Sequence, residues 1–264
     1  MITFANGHAL GYDDAGTGIP VLFLHGFPHN RSLWSAQLGA LAAPARTISM
    51  DLRGFGESAP GTPCTVDAYA DDAVTLLDQL GIERAVVVGL SMGGYATLAL
   101  WRRHPSRVRA LVLCDTRAGA DSDATRAARR EMQALAKAEG CTAVANQLLD
   151  GMVGRTTRLK NPELADALHR MMALAPLLGV VGALDAMMAR PDSTPTLGTI
   201  DVPTLIVVGE EDVLTPVKEA RAMHLAIAGS RLEVIAGAGH VSNVERPATF
   251  NHVLSEFLIS LTAQ

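Results

Sequence analysis

Short apolar or β-branched runs closed by turn residues recur along this chain: Val21 to Leu24, Thr47 to Met50, Ala85 to Val88, Val108 to Leu113, Thr204 to Val208 and Leu232 to Ile235. They read as buried strands. Between several of them lie helical patterns, notably Val66 to Leu80, with Val74, Leu77 and Leu80 on one face, and Tyr95 to His104. Strand alternating with helix requires right-handed crossovers, and the result is a mainly parallel sheet covered on both faces. Ile2 to Phe4 and Ala9 to Tyr12 flank Asn6-Gly7 and predict an antiparallel hairpin at the sheet edge.

The alternation stops between about Arg117 and Leu197. Four or five helix-like pieces and no convincing strand fill that stretch, which predicts an insertion. It is rich in methionine: Met132, Met152, Met171, Met172, Met187 and Met188 fall there. Such flexible thioethers fill cores and also suit a pocket roof that must fit varied apolar groups. The strand and helix pattern then resumes. Thr215-Pro216 predicts an N-cap and first helical residue of a helix running to about Ile227, and a last helix is expected from about Pro247 to Leu261.

Composition narrows the class. With 264 residues, one domain or two are both open; 48% hydrophobic and 19% charged residues give an ordinary globular protein. The net charge of -5 is mixed along the chain without a Lys/Arg stripe, which argues against a nucleic-acid partner. Arg126, Arg129 and Arg130 form the densest basic patch, but with Asp121, Asp123 and Glu131 nearby they read as a solvated helix face. Cys64, Cys114 and Cys141 are odd in number and widely spaced, so neither a disulfide framework nor a zinc site is expected, and a reduced cytoplasmic setting fits best. The start of the chain lacks a basic stretch followed by an apolar one, so no secretory signal is expected. The uncharged stretch Met171 to Leu184 is too short to span a membrane and holds Pro176, Gly179 and Gly182; a buried helix is expected there.

Gly89-Leu90-Ser91-Met92-Gly93 follows one strand directly and precedes a helix expected to begin near Gly94-Tyr95. A sharp strand-to-helix turn of this kind needs small flanking residues and leaves the serine hydroxyl exposed at a helix N-terminus. The competing reading, a phosphate-cradling glycine turn, lacks both GxGxxG and a P-loop lysine. A serine hydroxyl is a poor nucleophile, so it needs an imidazole to take its proton and a carboxylate to hold that imidazole. His240 sits in a loop after the last strand, at the same sheet edge as Ser91, where packing does not explain a histidine. His104, His224 and His252 fall on helices, His8 on the hairpin and His169 in the insertion, and no HExxH spacing occurs.

For the acid, Asp212 in the turn after Thr204 to Val208 is preferred because it lies deepest in that turn. Asp115, after the preceding strand, and neighbouring Glu211 satisfy the same chain order. His25-Gly26-Phe27-Pro28 follows Val21 to Leu24; backbone N–H groups of Phe27 and Met92 are the expected donors to an oxyanion, and His25 is expected to brace its loop.

These segments, with Asp51-Leu52-Arg53-Gly54-Phe55-Gly56-Glu57-Ser58, occur in the order found in the α/β-hydrolase superfamily, which the chain resembles over nearly its whole length. The resemblance implies an α/β fold with an eight-stranded, mostly parallel sheet, a core of residues 1–116 and 198–264, and a helical cap of residues 117–197. It further implies an acyl-enzyme on Ser91, with His240 acting as acid and base and Asp212 orienting it, on a small ester or lactone, without metal or cofactor. Gly239-His240-Val241-Ser242-Asn243-Val244-Glu245-Arg246-Pro247 is similar to the segment of 3-oxoadipate enol-lactonases and related small carboxylesterases. Serine where epoxide hydrolases and haloalkane dehalogenases carry aspartate argues against those two chemistries. A ligand-binding sensor that retains the triad is the reading from another class. No membrane partner is expected, and a homo-oligomer stays open.

Overall fold

The computed structural model describes residues 1–41 and 45–262. Strands β1 (Ile2–Ala5) and β2 (His8–Gly16) form the expected hairpin, and Asn6 and Gly7 both take positive φ, 48° and 85°, as its tight turn requires. The other strands are β3 (Ile19–Leu24), β4 (Ala45–Met50), β5 (Ala85–Leu90), β6 (Val108–Cys114), β7 (Thr204–Gly209) and β8 (Arg231–Ile235). All eight make one sheet in the order β1-β2-β4-β3-β5-β6-β7-β8. β1–β2 and β2–β4 are antiparallel, and every later pairing is parallel. The mainly parallel sheet is what the strand and helix alternation predicted, and its eight strands are what the resemblance implied.

Helices α1 (Ser35–Leu41), α2 (Val66–Gln79) and α3 (Met92–Arg103) lie between the earlier strands. Between β6 and β7 come α4 (Asp123–Glu139), α5 (Cys141–Met152), α6 (Arg155–Lys160), α7 (Pro162–Ala173), α8 (Leu177–Ala189) and the short α9 (Thr194–Leu197). After β7 follow α10 (Val217–Ala226), α11 (Ser242–Glu245) and α12 (Pro247–Ser260). Alternate side chains of each parallel strand enter opposite layers. Leu22, Leu24, Val87, Leu111 and Ile206 pack with α2, α3 and α10, whereas Val21, Phe23, Val86, Val112 and Leu205 pack with α1 and α12. Both layers are apolar, which is why these strands read as continuous hydrophobic runs.

Three local expectations are corrected. The insertion holds six helices, one more than the upper count expected, because the four-residue α9 is built from the turn-rich segment around Pro195. Met171 to Leu184 is a corner, not one buried helix: α7 and α8 meet at 93°. Pro176 lacks an N–H and drives its predecessor out of helical geometry, so α7 ends in a tight turn with Ala175 N–H donating to Met172 O at 3.1 Å. No single helix among the described residues is long and apolar enough to cross a membrane. Thr215 does not cap α10, whose cap position is Pro216.

The parallel strands bring the ends of β3, β5, β6, β7 and β8 to one sheet edge, where open α/β sheets carry their ligands. Packing beneath that edge is aromatic: Phe23 meets Trp34 with centroids 5.0 Å apart, and Trp34 meets Phe250 at 6.1 Å. Phe23 is fully buried. Phe23→Ala is expected to lower stability by about 3–5 kcal/mol, read as a fall in the urea midpoint at unchanged slope.

Candidate active site

Ser91 ends β5 and starts α3 with φ 54° and ψ −112°, a backbone conformation that side-chain-bearing residues rarely adopt. Tight packing enforces the bend. Any Cβ on Gly93 would strike the backbone carbonyl of Leu24, and one on Gly89 would strike the Gly93 carbonyl, so β5, α3 and the loop after β3 approach as only glycine permits. Ser91 N–H donates to Cys114 O at 2.9 Å, and Thr116 Oγ1 donates to Ser91 O at 2.8 Å. α3 starts at Met92, earlier than the Gly94-Tyr95 start expected, because the helix continues the turn itself.

The half-buried hydroxyl points at an imidazole. Ser91 Oγ lies 2.8 Å from His240 Nε2, and His240 Nδ1 lies 2.8 Å from Asp212 Oδ2. Asp212 and His240 are 4% and 2% exposed, so this chain of contacts runs into the protein. Asp212 is held from several sides. Its Oδ1 accepts from Leu214 N–H at 2.8 Å and Thr215 N–H at 2.9 Å, and its Oδ2 accepts from the Thr215 hydroxyl at 2.6 Å. That is the task of the threonine expected to cap α10.

Of the two rival acids, neither touches His240. Asp115 accepts from Gly209 N–H at 2.8 Å and from the Ser242 hydroxyl at 2.5 Å. Burial, reinforced by the charge of Asp212, pushes its carboxyl well above the usual range. Glu211 accepts from Thr156 N–H at 2.8 Å and the Thr156 hydroxyl at 2.5 Å, bonds that lower its carboxyl.

His25 Nε2 accepts from Leu52 N–H at 3.0 Å and its Nδ1 donates to Gly26 O at 2.9 Å, which fixes the loop carrying Phe27. That loop lies against the bend: a Cβ on Gly26 would sit 3.3 Å from Ser91 Cβ. Among the described residues, the N–H groups of Phe27 and Met92 donate to no other group. His29, which sequence reasoning passed over, is buried with neither ring nitrogen hydrogen-bonded. Burial, then the charges of His25 and His240, pushes its pKa down to about 3.

Glu245 was also missed. This buried carboxylate accepts from Gly239 N–H at 2.8 Å and from Gly154 N–H at 2.9 Å, tying the loop of His240 to the junction of α5 and α6. His240 N–H donates to Met152 O at 3.1 Å, across the same seam. Its place five positions after the histidine gives no sequence signal for this contact, which packing of the insertion against the loop creates.

Above Ser91 and His240 opens a cavity of about 330 Å³ between the sheet edge and α4, α5 and α8. Met132, Leu148, Met152 and Met187 line it, as expected of a methionine-rich roof. No group of His, Cys, Asp or Glu among the described residues could hold a metal ion.

Residues 19–247 match the family of the alpha/beta hydrolase fold. The chain belongs to that family and is a hydrolase. It is 29% identical over 270 residues to 3-oxoadipate enol-lactonase 1 of Acinetobacter baylyi, covering 99% of this chain and 97% of that one. Among solved structures, a thermophilic esterase from Thermogutta terrifontis superposes with a TM-score of 0.94 at 38% identity, over 98% of this chain and 97% of the other. The enol-lactonase from Burkholderia xenovorans LB400 gives 0.91 at 29% identity, over 98% and 100%.

Burial alone would lower the pKa of His240, but the charge and hydrogen bond of Asp212, with the charges of Asp115 and Glu245, outweigh it and raise the pKa above 6.5. An NMR titration of the His240 ring is expected to show a midpoint above 6.5 in the native protein and a lower one in Asp212→Asn. The sign follows because the imidazolium loses its closest anion while its burial stays.

Proposed function

We propose that this protein is a serine hydrolase of small carboxylic esters, with Ser91 as nucleophile, His240 as general base and acid, and Asp212 as the acid that orients it. The reading rests above all on the unbroken contacts from Ser91 Oγ to His240 Nε2 and from His240 Nδ1 to Asp212 Oδ2, each 2.8 Å. Neutral His240 carries its proton on Nδ1, bonded to Asp212, and takes the Ser91 proton on Nε2 as Oγ attacks the ester carbon. The resulting oxyanion is met by the N–H groups of Phe27 and Met92, which have no competing acceptor among the described residues. The ester C–O bond then breaks, and His240 protonates the departing alcohol. Water gives its proton to His240, attacks the acyl group and releases the acid, and Ser91 regains its proton.

In this reading residues 1–116 and 198–264 form the catalytic core and residues 117–197 the cap that roofs the cavity. Three unpaired cysteines support a reducing, cytoplasmic setting. The likeness to enol-lactonases favours a second reading, a lactonase, for which the same steps leave the alcohol tethered to the acyl chain. A sensor that only traps its ligand would need a deacylation step blocked.

Ser91→Ala is expected to lower kcat on 4-nitrophenyl butyrate by about 10⁴-fold or more at an unchanged circular dichroism spectrum. Retained turnover in that variant would refute the assignment, and a single burst without steady turnover in the native protein would favour the sensor.

A further inference from the structure

The cavity over Ser91 is apolar on most sides but carries guanidinium groups at one end. Arg117, in the segment after β6, and Arg129, on α4, both line it. Arg129 belongs to the basic patch expected to face solvent. The structure corrects that expectation: its side chain turns inward and is 16% exposed, with Nε donating to buried Asp121 at 2.5 Å.

Asp121 is shared by three arginines. Arg190 Nη1 donates to it at 2.6 Å while the Arg190 guanidinium stacks on Tyr95, 4.0 Å from the ring centroid. Arg117 reaches it only at 3.5 Å, and its Nε is buried without a partner. Burial raises the Asp121 carboxyl, but the bonds and charges of Arg129 and Arg190 outweigh that and leave it lowered, so it is ionised. One negative charge therefore faces three positive ones. Among the described residues lining the cavity there is no Asp or Glu.

An excess of desolvated positive charge in an apolar cavity calls for an anion, and a guanidinium edge matches a carboxylate in geometry as well as charge. Resting on the serine-hydrolase reading above, we propose that Arg117, supported by Arg129, forms a carboxylate subsite, so that the preferred substrate is a small ester or lactone bearing a second, ionised carboxylate. A cavity of about 330 Å³ confines that substrate to a short chain. Arg190 and Tyr95 hold Asp121 in place and keep it from drawing Arg117 away from the cavity.

The test compares kcat/KM within pairs of near-equal size: mono-4-nitrophenyl adipate against 4-nitrophenyl hexanoate, and 4-acetoxybenzoate against 4-methylphenyl acetate. The pairs carry the carboxylate in the acyl and the alcohol part respectively. At low salt the native protein is expected to favour the anionic member of at least one pair by about ten-fold or more, the usual scale of a hydrogen bond to a charged group. Added salt shrinks the preference. Arg117→Gln is expected to cut that ratio about ten-fold, Arg117→Lys to keep part of it, and Arg126→Gln, whose side chain pairs with exposed Asp123 at 3.1 Å, to leave it unchanged. Preference for the neutral member in both pairs, or an unchanged ratio in Arg117→Gln, overturns the subsite. The underlying reading is scored separately: loss of hexanoate hydrolysis in Ser91→Ala alongside such a result would sink the subsite alone, whereas its retention would sink the serine assignment.

Discussion

The site depends on a close approach of three backbone segments at the end of β5. Gly93 lies against the carbonyl of Leu24, Gly89 against that of Gly93, and Ser91 is held at φ 54° by its bond to Cys114 O and by Thr116 on its own carbonyl. A residue in so sparsely populated a conformation costs on the order of 1–3 kcal/mol and persists only where its surroundings over-determine it. Here the surroundings are the central strands of the sheet, with β5 buried along its whole length, so the local cost is offset by dense packing. The hydroxyl gains a fixed direction, and the loops that meet it can vary without moving it.

Two buried carboxylates act electrostatically on that hydroxyl's partner, and their environments separate them. Asp212 is surrounded by donors, including two N–H groups, the Thr215 hydroxyl and the imidazole, and is lowered despite its burial. Asp115 has two donors and no imidazole, and burial wins. The difference is one of solvation by the protein itself: several dipoles and an imidazole around one carboxylate favour its ionised form, while fewer donors leave the other raised by burial. The hydrogen-bonded partner of His240 therefore comes from the turn after β7 and not from that after β6, although both turns satisfy the chain order.

What could be read from the chain follows the range of the interactions concerned. Strand positions, the hairpin turn and the bend at Ser91 depend on local composition, and each lies where the residues predicted. The juxtaposition of Ser91 with His240, far apart in sequence, was legible because parallel strands bring the loops after β5 and β8 to one edge. The inward turn of Arg129, the Thr215 hydroxyl on Asp212, and the Glu245 carboxylate between Gly154 and Gly239 were not legible. Each is a contact between the insertion or a loop and a distant segment, set by tertiary packing that helix periodicity and capping rules do not contain. The corner at Pro176 was written in the chain, yet the apolar run around it masked the break.

Glu245 bridges the loop of His240 and the α5–α6 junction, and Gly154 and Gly239 pass so closely there that neither has room for a side chain. The roof over the cavity is therefore riveted to the segment that presents the imidazole, and any outward swing of that junction would draw His240 away from Ser91. Traffic of molecules in and out must go around the rivet. Val213 and Leu214, two large apolar residues of the cavity lining that stand partly in water, lie close beside it, with Leu214 against Gly151 at the end of α5.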